Sequence, residues 1–191
     1  MSTMLAPAPT SNYAAYRACC AEAAEQDPWD WMFKSDPRYQ QVLEHVTQEQ
    51  GEELLRVAEE ADPKRWPIHR ANFPKDAGLN DKKGGPILSE FPSLGIWCSP
   101  SNCRYLAHAI LIWTHLERLG LPAVHLVELG GGYGGLALYI HWLQHEYPTR
   151  LASYTIVDLP EVCNLIDRYA REEYGLDDLR IRNGVSVEEM A

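Results

Sequence analysis

Between Val127 and Ile140 the chain reads VELGGGYGGLALYI, with five glycines in the six positions from Gly130 to Gly135. A carboxylate, Glu128, stands two residues ahead of them. A second carboxylate, Asp158, closes a later apolar run, SYTIVDL. Glycines in the turn after a strand remove Cβ atoms, so backbone N–H groups can approach a ligand closely. An acid at the end of the next strand can accept hydrogen bonds from a pair of ribose hydroxyls. Nucleoside binding is the chemistry that these residue types and spacings offer.

Two cofactor classes use such a loop. Dinucleotides sit on G-x-G-x-x-G, which Gly130, Gly132 and Gly135 satisfy. S-adenosylmethionine sits on an acid followed by spaced glycines, which Glu128, Gly130, Gly132 and Gly134 satisfy. Asp158 serves either. Glu128 discriminates between them, because a carboxylate repels a pyrophosphate and attracts a sulfonium and an ammonium. The strand also begins only near residue 123, whereas dinucleotide folds often open with it. The glycines alone would also make a plain tight turn.

Elements around these residues must position them. AVHLVEL at 123–129 reads as a β-branched strand, Leu136 to Glu146 as a helix, and SYTIVDL as a second strand. Glu161 to Tyr174 reads as a second helix stopped at Gly175, and Leu179 to Arg182 as a third strand. Strand–helix alternation with short connections implies a parallel sheet, so the fold class is α/β. Upstream, Asn12 to Glu25 is alanine-rich and helical in character. Ser35-Asp36-Pro37 opens a helix carrying Tyr39, Val42, Leu43 and Val46. Thr47 to Gln50 has capping-box form and starts a helix through Glu60, with Gly51 against it. Residues 62–100 hold prolines at 63, 67, 74, 86, 92 and 100 and follow neither period. Their aromatic residues argue for an ordered excursion over the site. Ser101 to Gly120 is a strong helix with a broad apolar face. The expected division is a helical and loop region at 1–120, forming a cap on the substrate side, and a nucleoside-binding part at 121–191.

Composition limits the partners. The 191 residues carry a net charge of −10, and 46% of them are hydrophobic. An acidic chain whose basic runs are as short as Lys82-Lys83 is no general nucleic-acid binder. No apolar run is long enough to span a bilayer, and MSTMLAPAPT lacks the form of a signal peptide. The five cysteines include no CxxC and read as reduced thiols, with no metal site expected. A cytoplasmic protein is the expectation.

VELGGGYGGLA at 127–137 and YTIVDLPEV at 154–162 resemble the class I S-adenosylmethionine-dependent methyltransferases, and more narrowly the sugar O-methyltransferase family. SPSNCRYL at 99–106 and SDPRYQQVLEHV at 35–46 support the resemblance, which covers most of residues 35–175. It implies a Rossmann-like sheet with S-adenosyl-L-methionine as cofactor. Glu128, Gly130, Gly132 and Gly134 would frame the methionine part, Asp158 would take the ribose hydroxyls, and Leu159 would pack beside the adenosine. Tyr133, Arg104 and Tyr105 would reach the cofactor carboxylate or the substrate, with helix start and core packing as the alternative for the last two. The substrate would be a small molecule or glycan whose sugar hydroxyl attacks the methyl group in line.

The resemblance also implies what three strands leave out. A class I sheet has seven, so the chain reads as the N-terminal part of an enzyme, weak or inactive alone. Its first strand would be an open edge prone to self-association. No base is assigned: His69 and His108 lie nearer the site region, and His141 and His145 read as surface or packing residues. A non-catalytic methyltransferase remnant, acting as a binding module, is the second reading. A NAD(P)-dependent oxidoreductase is the third.

Overall fold

In the computed structural model, which describes residues 10–184, the helix that organises the fold starts where the sequence supplies its cap. The Ser99 hydroxyl accepts from the Asn102 N–H at 3.2 Å, and Pro100 opens α5 (Pro100–Arg118). Its apolar face buries Leu106, Ile110 and Trp113, and the Trp113 indole donates to the Ile140 carbonyl on α6 (Gly135–Leu143) at 3.1 Å. On its other side lies α3 (Gln48–Ala61), opened by the expected capping box between Thr47 and Gln50.

The fold is mixed α/β. Three parallel strands form the main sheet in the order β3 (Ala123–Leu129), β4 (Arg150–Asp158), β5 (Arg180–Asn183). Glu128 pairs with Ile156 and Leu129 with Val157, while Asp158 pairs with Asn183. The register therefore brings the end of β3, where the glycine turn begins, beside Asp158. Side chains such as Tyr154 and Ile156 are buried, whereas Val127 and Leu129 on the alternate positions of β3 are 65% and 78% exposed. Among the described residues β3 pairs with β4 alone.

Between β4 and β5 lies α7 (Pro160–Ile166), continued by a wider π-helical stretch over Asp167–Glu173. The N-terminal helix α1 (Thr10–Glu25) packs on α7, and one buried cluster runs from Tyr16 to Leu179. No helix among the described residues is long and apolar enough to cross a membrane.

Two expectations change. Residues 62–100 are not an irregular excursion: they hold α4 (Trp66–Asn80) and a hairpin of β1 (Ser89–Phe91) and β2 (Ile96–Cys98). Trp66, His69 and Phe73 are buried at helical spacing, a period that the prolines around them disguise. The helix expected over 35–46 is only α2 (Pro37–Gln40). The Tyr39 carbonyl accepts from both Val42 and Leu43, so the chain turns there and sets Leu43 over the glycine loop.

Candidate functional site

The glycine loop is pinned at both ends. The Gly130 N–H donates to the Val157 carbonyl at 3.0 Å, and the Gly134 N–H to the Gly131 carbonyl at 2.9 Å. Gly132 has φ +61°, and a Cβ there would lie 2.5 Å from Leu43 Cδ1. The left-handed backbone favours glycine at this position, and a Cβ would also make the Leu43 side chain shift.

Asp158 faces the loop. Its Oδ2 accepts from the Gly132 N–H at 3.1 Å and its Oδ1 from its neighbour Leu159 at 2.7 Å. Each carboxylate oxygen has two lone pairs, so both keep accepting capacity. Burial raises the Asp158 carboxyl above its usual range, and the backbone N–H groups of Leu159, Gly132 and Gly131 oppose that rise. In front of the loop opens a cleft of about 460 Å³. Gly130, Gly132, Asp158 and Leu159 form its floor, and Tyr13, Tyr16 and Arg17 of α1 with Val42 and Leu43 form its wall.

Glu128 sits beneath the loop, not in the open cleft. Its Oε2 accepts from the Tyr154 hydroxyl at 2.9 Å and would lie 3.4 Å from a Cβ at Gly131. Burial pushes its carboxyl up to about 7, with the Tyr154 hydrogen bond opposing and the Asp158 charge adding.

The structure thus brings together Glu128, Gly130, Gly132, Asp158 and Leu159. Gly134, at φ +87°, caps α6 and does not line the cleft. Tyr133 turns into the core: it is fully buried against Phe33, Tyr105 and Tyr169, and its hydroxyl accepts from Asn80 at 3.3 Å. Tyr105 is buried as well, and Arg104 holds the Leu43 carbonyl and the Tyr105 hydroxyl, each at 3.3 Å. Arg104 therefore acts on the cleft wall through Leu43.

Sequence reasoning did not find the wall. Tyr13, Tyr16 and Arg17 lie more than a hundred positions before the loop, and no motif marks them. The buried Tyr16, Cys20 and Ala23 dock α1 on the core, and a bidentate pair of Arg17 with Glu161 of α7, at 2.7 and 3.0 Å, adds to that packing. The opposed charges were visible in the sequence, but their partnership was not. His69 hydrogen-bonds Tyr147 at 3.2 Å, away from the cleft. All five cysteines are free, and no cluster of metal-binding side chains occurs among the described residues.

No family model, curated protein or solved structure matches the chain.

Proposed function

We propose that the cleft binds S-adenosylmethionine and that the chain serves methyl transfer to a sugar hydroxyl, on a sheet resembling the N-terminal half of a Rossmann-like class I methyltransferase. The observation that carries this reading is the pairing of Asp158 with the Gly132 N–H on the floor of a cleft of about 460 Å³, with Glu128 half-buried beneath the loop. The volume falls within the range of small-molecule sites. The spare lone pairs of Asp158 suit two vicinal hydroxyls. A single negative group under the loop suits a cationic ligand and opposes a pyrophosphate.

When bound, this cofactor supplies an electrophilic methyl group on sulfur. The chain's own residues would do the rest by alignment. Asp158 would hold the ribose, and Leu159 and Leu43 would cover the apolar base. Glu128 would ionise beneath the methionine part. Proton removal from the acceptor hydroxyl is assigned to no residue.

A second reading, a binding module without turnover, is favoured by the open edge of β3 and the exposed Val127 and Leu129. Through that edge the chain would meet a further strand or a second copy.

Isothermal titration with S-adenosylhomocysteine, with NAD as the control ligand, tests the proposal. Saturable heat with the first alone is the expected result. Binding of NAD in preference would overturn it.

A further inference from the structure

A second cavity, of about 400 Å³, lies apart from the glycine cleft. Leu138, Tyr139, His141 and Trp142 of α6 form one wall, and Tyr174 and Leu176 lie opposite. Most of this surface is aromatic or aliphatic, and Asn80, His141, Gln144 and Asp178 are its polar residues. The amides of Asn80 and Gln144 can donate as well as accept, whereas the other two offer acceptors.

The first is His141, which is 8% exposed. Its Nδ1–H donates to the Ala137 carbonyl one turn back at 2.8 Å. A carbonyl only accepts, so the Nδ1 proton is fixed, and in the neutral ring Nε2 carries the lone pair. Nε2 is buried and has no hydrogen-bond partner. The second is Asp178, whose Oδ1 stands 3.5 Å from Nε2 and whose side chain is 79% exposed. An acceptor left unmatched inside an apolar wall is costly, and a buried unpaired group calls for an explanation.

We propose that this cavity is a binding site for a small organic amine: an aromatic or branched apolar body with an N–H-bearing cationic head. The body would fill the space between Trp142 and Leu176. The head would donate to His141 Nε2 and to the Asp178 carboxylate together. Aromatic faces at Tyr139, Trp142 and Tyr174 favour a cation further. The chain's net charge of −10 likewise attracts a cationic ligand. The site is independent of the cofactor reading.

The test uses the full chain with 15N-labelled histidine and phenethylamine as the probe, followed by NMR at pH 8. His141 is assigned by the signal lost in H141F. The free protein should show Nε2 unprotonated, and phenethylamine should shift that resonance saturably. N,N,N-trimethylphenethylammonium, which keeps the charge but has no N–H, should bind at least tenfold more weakly. H141F, which keeps the volume, should lose about tenfold in affinity for phenethylamine, and L138W, which fills the space, should abolish binding. Thermal melts confirm that each variant is folded, and H141F decides if L138W is not. The inference is overturned by a protonated Nε2 in the free protein, by no saturable shift, or by equal binding of the two amines.

Discussion

Glu128 turns the proposed cofactor chemistry into a pH experiment. Its carboxyl is pushed up to about 7 because the half-buried site beneath the loop desolvates it, and the hydroxyl of Tyr154 only partly offsets this. A cationic ligand above the loop requires the ionised form. The ionised fraction is about a tenth at pH 6 and about three quarters at pH 7.5. Affinity for S-adenosylmethionine should therefore rise about eightfold over that interval, or about 1.3 kcal/mol. At pH 7 binding should release about half a proton, read as a buffer-dependent enthalpy in titrations run in phosphate and in Tris. The ligand's own amine also titrates near this range, so the measure is wild type against E128Q, whose profile should lack the rise. The free protein has the opposite dependence. Folding raises this carboxyl above its unfolded value of 4.5, so its contribution to stability is present at low pH and is lost as pH climbs towards 7. Identical pH profiles for wild type and E128Q would refute the role given to Glu128.

Three further outcomes are expected. D158N places an amide N–H₂ against one of two backbone donors and removes the charge, so affinity for S-adenosylhomocysteine should fall roughly 10- to 100-fold by calorimetry; a loss under threefold would remove Asp158 from the site. G132A should cost about 1–2 kcal/mol for its left-handed backbone, and more because its Cβ meets Leu43, whereas G130A, at φ +78° with open space around it, should incur only the backbone cost. Urea melts in which G130A equals G132A would dismiss the Leu43 contact. Lys34 is fully buried, and burial lowers its ammonium to about 8 from 10.5, with the Asp81 and Glu44 charges opposing. The unfolded chain keeps that proton longer, so stability should rise from pH 8 to 9.5 in wild type relative to K34M, by roughly 1–2 kcal/mol in urea melts. Parallel curves would argue against a buried ammonium.

Much of the core could be read from local signals. Ser99 and Pro100 start α5 as their chemistry requires, and the Thr47–Gln50 box starts α3 despite Gly51. That glycine has a reason that no local pattern reveals: the Phe91 ring would stand 2.8 Å from its Cβ. The loop glycines and Asp158 were legible because a turn chemistry and a strand end announce them. Tyr133 was misleading, since adjacency to the glycines says nothing about which way a side chain leaves the turn. The cleft wall was illegible for a different reason. Tyr16 and Leu43 reach it only through the docking of α1 on α7 and the turn after Tyr39, and both are tertiary events. The α4 helix was hidden because Pro67 lies in its first turn, where proline is tolerated, yet reads as a breaker in a sequence rich in prolines.

Lys34 also bears on how such a chain can be divided. Its Nζ donates to the Asn80 carbonyl at 2.5 Å and to the Tyr169 hydroxyl at 2.7 Å, and lies 4.2 Å from the Tyr133 ring centre. One ammonium thus ties the N-terminal segment to the end of α4, to the glycine loop and to the stretch after α7. A cut at residue 120, where the sequence alone would place a boundary, parts the cation from two of its aromatic partners and opens the interior of both pieces. The 1–120 region is then no exchangeable cap. Grafting another front onto this loop, by recombination or by design, would have to carry a replacement for that buried charge.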